Sequence, residues 1–246
     1  MDFGIIGYPL GHSFSPDYFN AKFRELQLFS HHYYAFPIES ITELPTLIQQ
    51  NSELSGLSVT IPYKESIFKL LTFKSKEVIE IGACNCVKIV RASDKYELHG
   101  FNTDIIGFEK SLQNLIGNAT PKALVLGSGG ASKAAQYVLR KMGLHYQIVS
   151  RKDQDGYLSY ESLDESIMSE YQLIINTTPL GMSPEILSKP EIPYQFLSSQ
   201  HFLFDMVYNP HETSFLLEGK KLNCRIKNGL EMLHYQAEAA WEIWKV

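Results

Sequence analysis

Short apolar runs alternate with amphipathic stretches along the whole chain, the pattern of an α/β protein whose strands are covered by helices. Phe3–Gly7 predicts a strand. Ser15-Pro16 then opens a helix: the serine caps free amides, and proline takes the first helical position, where its missing N–H costs nothing. Phe19, Phe23 and Leu26 give that helix an apolar face. His32–Phe36 predicts the next strand, and Ser40-Ile41-Thr42-Glu43 has the form of a capping box that opens another helix. Leu57–Ile61 predicts a strand, Tyr63–Leu71 a helix, and Cys84–Val90 with Tyr96–His99 a hairpin. Up to His99 the pattern is therefore one open α/β unit.

The alternation restarts near residue 105. A helix over Ile105–Leu115 leads through Gly117-Asn118 and Pro121 to an apolar strand, Ala123–Leu126. A glycine turn follows, then a helix to about Met142 and strands at Tyr146–Val149, Leu173–Asn176 and Phe202–Phe204. Asp153–Glu170 is the most polar stretch and predicts loops around one helix. Leu230, Leu233, Ala237, Trp241 and Trp244 form one stripe at a period near 3.5, which predicts a long terminal helix. That helix is expected to cross back onto the first unit. The resulting division is residues 1–104 completed by 229–246, and residues 105–228.

Composition narrows the class. The 246 residues exceed the ~150 of a typical domain. With 44% hydrophobic and 20% charged residues, wholesale disorder is excluded. A formal charge of −5, with lysines and arginines never more than two in a row, argues against a nucleic-acid or anionic-membrane binder. Cys84, Cys86 and Cys224 lack metal-ligand spacing and read as reduced, mostly buried thiols of a cytoplasmic protein. The N-terminus shows no leader pattern, and no stretch of 18 apolar residues occurs.

The chemistry begins at Leu124-Val125-Leu126-Gly127-Ser128-Gly129-Gly130-Ala131-Ser132, a strand running into a glycine turn and a helix. The first glycine permits the tight turn, the second lets backbone approach a pyrophosphate, and the helix N-terminus offers amides and a positive dipole. Serine stands at position 132, where a third fingerprint glycine would fall. A structural βα turn is the plain alternative, and the surrounding βαβ pattern favours dinucleotide binding. After the next strand comes Ser150-Arg151-Lys152 rather than an acidic ribose ligand. Two cations suit a 2′-phosphate, so NADP is the expected cofactor, with a solvated basic pair as the alternative.

In the first unit, unusual polar residues stand at strand ends, where ligands gather in open α/β sheets. Ser13 and Ser15 at a helix start make a seat for a carboxylate. Thr60 and Lys64 flank the helix start after the third strand; a lysine in a first turn runs against the dipole, though a plain surface charge is equally possible there. Asn85, and Asp104 in Gly100-Phe101-Asn102-Thr103-Asp104, add an amide and a carboxylate, the latter open to a reading as a simple N-terminal helix residue.

Taken together and in order, these motifs resemble the shikimate dehydrogenase family, from Ile6 to Trp241. The blocks are Ser13 to Asn20, Ser58 to Lys64, Gly100 to Asp104, Gly127 to Ala131, Asn176 to Met182, Asp205 to Pro210, and Gly229, Met232 and Gln236. Phe19, Ser58 and Cys86 depart from it, standing where the family usually has histidine, asparagine and threonine. The resemblance implies an N-terminal substrate domain and a Rossmann-like NADP domain. It implies reversible NADPH-dependent reduction of 3-dehydroshikimate to shikimate in chorismate and aromatic amino acid biosynthesis, with a quinate/shikimate dehydrogenase using NAD or NADP as the alternative. By the same resemblance, Lys64 and Asp104 are catalytic, and Ser13 and Ser15 hold the substrate carboxylate with Tyr208 close by. Thr60, Asn85 and Gln236, together with Asp104, bond the ring hydroxyls. Gly127, Ser128, Gly129, Gly130, Ala131, Ser150, Arg151, Lys152, Thr177, Met206 and Gly229 contact the cofactor. The expected partners are the small-molecule substrate and NADP, with no metal, nucleic acid or membrane, in a monomer or homodimer.

Overall fold

Two sheets of different topology carry the chain. The computed structural model describes residues 1–11, 14–92, 95–151 and 155–245. It divides into Met1–Thr103 with the chain from Ala237 onward, and Asp104–Gln236.

The first unit contains β1 (Asp2–Gly7), α1 (Phe14–Glu25), β2 (His32–Pro37), α2 (Leu44–Gln50), β3 (Leu54–Val59), β4 (Phe73–Lys74), α3 (Lys76–Ile81), β5 (Cys86–Ala92) and β6 (Lys95–Phe101). Its sheet runs β2-β1-β3-β5-β6-β4. β1 is parallel to β2 and β3, whereas β5 is antiparallel to β3 and β6. The capping box at Ser40 forms as its residue types require: the Ser40 amide donates to Glu43 at 2.7 Å and the Ser40 hydroxyl accepts from Thr42 at 3.3 Å. It opens a 3₁₀ turn, Ile41–Glu43, that runs into α2.

Three local expectations are corrected. α1 begins at Phe14, so Ser15 and Pro16 lie inside its first turn and Ser15 is not its cap. Leu26 falls beyond the end of α1 and is 50% exposed, so the buried face is Phe19 and Phe23; Gln27, next along, takes a positive φ of 57° that no helix continues through. Tyr63–Leu71 is not one α-helix. The Lys64 carbonyl accepts from the Cys84 amide at 2.7 Å, a long-range bond that removes it from a helical ladder, and only Ser66–Leu70 coils, as a 3₁₀ helix. β4 and α3, the latter capped by Ser75, were not foreseen by the pattern.

The second unit holds α4 (Asp104–Ile116), β7 (Ala123–Leu126), α5 (Gly130–Lys141), β8 (Tyr146–Val149), α6 (Glu165–Glu170), β9 (Leu173–Asn176), β10 (Phe202–Asp205), α7 (Ser214–Lys221), β11 (Arg225–Lys227) and the start of α8 (Leu230–Trp244). Its sheet is wholly parallel, ordered β11-β10-β9-β7-β8. β7, β9 and β10 are buried at every position, as continuous apolar strands covered on both faces must be. α4 and α8 meet at Gly107, where an added Cβ would collide with the Met232 carbonyl oxygen.

The terminal stripe is buried at Ala237, Trp241 and Trp244, joined by Ala240, while Leu230 and Leu233 are not fully buried. Trp241 and Trp244 belong to one core with Phe3, Phe19, Phe23 and Tyr33 of the first unit. The Trp244 indole donates to the Val87 carbonyl at 3.0 Å and packs on Gly56, where a Cβ would meet its ring at 2.5 Å.

Candidate active site

In the first unit the expected residues gather along one edge of the sheet, because β1 and β3 end where β5 begins and β6 ends. Backbone bonds lock that edge: Thr60 N–H to Ile6 at 2.9 Å, Val59 N–H to Asn85 at 2.8 Å, and Asn85 N–H to Phe101 at 3.2 Å. The Cys84–Lys64 bond described above adds the turn that carries Lys64, a half-buried residue. Lys64 therefore stands on a turn tied to the sheet, not on a helix. Asn85 is buried, donates to the Thr103 hydroxyl at 3.0 Å and accepts from the Thr103 amide at 2.6 Å. It thereby fixes the residue preceding Asp104. Ser15 is buried in the first turn of α1. The Tyr33 hydroxyl donates to Ser58 at 2.7 Å. Ser13 lies outside the described residues.

In the second unit, Asp104 is buried as the first residue of α4, and half-buried Gln236 on α8 packs against Gly107. The carboxyl ends of β7, β8, β9 and β10 carry the expected cofactor residues. Gly127 takes φ of +104°, a conformation that favours glycine, and a Cβ there would press on Thr177 and Thr178 at 3.0 Å. A Cβ on Gly129 would meet open space, so backbone there is approachable, and α5 begins directly after it with Gly130 and Ala131. This cradle fits a dinucleotide pyrophosphate. Ser132, where a third fingerprint glycine would stand, is fully buried, with its hydroxyl bonded by Gln136 at 3.0 Å. Ser128 and Ser150 face one another at 3.4 Å, and Arg151 is exposed. The Thr177 hydroxyl donates to the Leu126 carbonyl at 2.6 Å, tying the loop after β9 to the glycine turn. Gly229 is pressed on Met206, whose carbonyl oxygen leaves no room for a Cβ. Tyr208 is half-buried, and burial pushes its phenol pKa up. Lys152 lies outside the described residues.

Sequence reasoning quoted Asp205 within a motif but gave it no role. It is fully buried and organises both loops next to the cradle. It accepts from the Asn176 amide and the Val207 N–H, each at 3.0 Å, and from Thr213, the cap of α7, at 2.5 Å. Asn176 in turn accepts from the Thr178 hydroxyl at 2.6 Å. An aspartate ending an otherwise apolar strand is the signal that could have found it.

Burial raises the Asp205 carboxyl from 3.8 to about 6, against the opposing effect of its three donors. Folded protein therefore holds a proton between about pH 4 and 6 that unfolded chain has released. That contribution to stability is fully present below about pH 4 and is lost as the pH rises through about 6, by on the order of 3 kcal/mol. Denaturation midpoints of wild type and Asp205→Asn, followed across that window, should diverge with rising pH, the wild type showing the steeper fall. Parallel curves would mean that Asp205 is charged throughout.

Among the described residues no helix is long and apolar enough to cross a membrane, and no group of three or more histidine, cysteine, aspartate or glutamate residues is placed to hold a metal. Cys84, Cys86 and Cys224 are buried, reduced thiols.

The chain is similar to known proteins along nearly its whole length. The family described as shikimate dehydrogenase substrate binding domain matches residues 5–87. The shikimate dehydrogenase (NADP(+)) of Methanococcus vannielii is 37% identical, over 98% of this chain and 90% of its own length. The crystal structure of shikimate dehydrogenase from Aquifex aeolicus is 34% identical with a TM-score of 0.87, covering 99% of this chain and 92% of that one. That of shikimate 5-dehydrogenase from Thermus thermophilus, in complex with NADP(H) and shikimate, is 29% identical with a TM-score of 0.86, covering 99% and 93%.

Proposed function

The chain belongs to the shikimate dehydrogenase family, and from that premise we propose that Lys64 and Asp104 carry out the proton chemistry of its reaction. The enzyme is an NADP-dependent oxidoreductase that interconverts 3-dehydroshikimate and shikimate, a step of aromatic biosynthesis. The observation that carries the residue assignment is the Cys84–Lys64 backbone bond, which fixes the lysine turn at the sheet edge beside Thr60 and Asn85.

The residues fit the chemistry. Reducing a ketone places growing negative charge on its oxygen, and an ammonium there both stabilises that charge and supplies the proton. In this reading Lys64 is that group, and Asp104 orients the lysine and the reacting hydroxyl. Ser13 and Ser15 hold the carboxylate, aided by Tyr208, while Thr60, Asn85 and Gln236 bond ring hydroxyls. Bound NADPH supplies the two electrons of the reduction. Gly127 to Ala131 would hold its pyrophosphate, Ser150, Arg151 and Lys152 its 2′-phosphate, and Thr177, Met206 and Gly229 the remaining contacts. The first unit is thus the substrate domain and the second the cofactor domain. The buried, reduced thiols support a cytoplasmic location.

The test is direct: purified protein with shikimate or quinate, each with NADP or NAD, followed by the appearance of reduced nicotinamide. Shikimate with NADP should turn over fastest. Preference for quinate, or for NAD, would overturn the reading. Arg151→Ala refines it. Losing a charge-assisted contact to phosphate costs roughly 1.5–3 kcal/mol, about ten- to a hundredfold in affinity. NADP binding should weaken by that factor while NAD binding hardly changes; equal losses would show that Arg151 contacts a part common to both.

A further inference from the structure

The three partners described above for the buried Asp205 carboxylate are all donors: the Asn176 amide, the Val207 N–H and the Thr213 hydroxyl. Two of them meet at one oxygen, Asn176 from the end of β9 and Val207 from the loop after β10. A carboxylate only accepts, so it decides which way the Asn176 amide lies. The NH₂ must face Asp205, and the amide oxygen then faces onward. That oxygen accepts from both the N–H and the hydroxyl of Thr178, at 3.0 and 2.6 Å. Thr177, its neighbour, gives its N–H and its hydroxyl to the Leu126 carbonyl, immediately before the glycine turn. On the other side, the Val207 carbonyl accepts from the Gly229 N–H at 3.1 Å, and the Met206 N–H donates to the Asn176 carbonyl at 3.0 Å. One carboxylate therefore stands behind the loops that carry Thr177, Met206 and Gly229.

The strand order β11-β10-β9-β7-β8 tells which part of the cofactor those loops face. β7 leads into the pyrophosphate turn, and β8, on one side of it, leads into the residues read as the 2′-phosphate site. β9 and β10 lie on the other side. A dinucleotide centred on β7 with its adenosine toward β8 extends its nicotinamide half over β9 and β10. We propose that Asp205 is a positioning residue for the nicotinamide half of NADP, fixing the loops after β9 and β10 through Asn176 and Val207. The proposal rests on the reading of the glycine turn, Ser150 to Lys152, Thr177, Met206 and Gly229 as cofactor contacts. Stability does not account for the residue, because burial raises its pKa and the charge held at neutral pH works against folding. What the carboxylate supplies is a fixed arrangement of the groups that meet the ligand.

Calorimetry with two ligands separates positioning from a structural role: NADP, and adenosine 2′,5′-bisphosphate, which has the adenosine and the 2′-phosphate but no nicotinamide. Asp205→Asn keeps the size of the side chain but presents an amide that can face either way. NADP binding should weaken about three- to tenfold, while the bisphosphate stays within about twofold. Thr178→Val cuts the chain beyond Asn176 with the carboxylate intact. It should show the same contrast, and it carries the test if the aspartate variant does not fold. The double variant should bind NADP no more weakly than the worse single one, as members of one network do. Equal losses for both ligands, unchanged NADP affinity, or losses that multiply in the double variant would each overturn the proposal. Met206→Ala tests the contact reading separately. If it leaves NADP binding unchanged while Asp205→Asn keeps its contrast, Met206 is not a contact and the positioning role of Asp205 stands.

Discussion

Lys64→Ala should lose at least about a hundredfold in kcat while KM for shikimate changes only modestly. The carboxylate end of the substrate changes no charge during reaction, so groups that hold it act equally in ground and transition states. The oxygen facing Lys64 does change, and an interaction made only as charge develops is lost from kcat. General acid–base groups are typically worth about 10²–10⁴-fold, which sets the scale. Truncation is tolerable in this place because the residue lies on a turn whose backbone bond to Cys84 does not involve the side chain. Steady-state kinetics in both directions decide the matter. Near-normal kcat with a raised KM would make Lys64 a binding residue and move the proton donor to Asp104.

The second large effect is on stability. Trp244→Ala is expected to cost about 3–5 kcal/mol, the range for removing a buried large aromatic side chain. Trp244 is 3% exposed and packs on Phe3 and Phe19 with centroids 5.3 and 5.4 Å away. Its loss would also leave the Val87 carbonyl without the indole donor. Neighbouring side chains cannot collapse into the space readily, since Gly56 beneath the ring has no side chain to offer. Urea denaturation should show an earlier midpoint for the first unit. A loss under about 1 kcal/mol would mean that α8 is dispensable to that core.

What the sequence revealed of the fold follows from how local each signal is. β7, β9 and β10 are short apolar runs between breakers, and a strand buried on both faces leaves that mark regardless of its partners. The Ser40 capping box is equally local and forms as read. The expected Tyr63–Leu71 helix failed because its decisive bond goes to Cys84, far along the chain, which no periodicity in the segment reports. The same limit applies to the candidate site. Glycine turns and polar strand ends were legible at Gly127, Thr60 and Asn85. Asp205 was passed over because a polar group meeting its partners in the interior looks, in sequence, like any loop aspartate. Only the folded contacts set it apart.

The tryptophan anchor also governs the order in which the protein can be made. Its indole reaches a carbonyl 157 residues earlier in the chain, so the first unit lacks part of its core until Trp244 has been synthesised. The second unit is a continuous stretch, Asp104–Gln236, but its last residues share helix α8 with Trp244 and are made only just before it. A growing chain is therefore expected to carry an unfinished amino-terminal core, with Phe3, Phe19 and Phe23 not fully covered, until α8 has been made. Chaperone dependence and protease sensitivity during translation should concentrate on the residues made first.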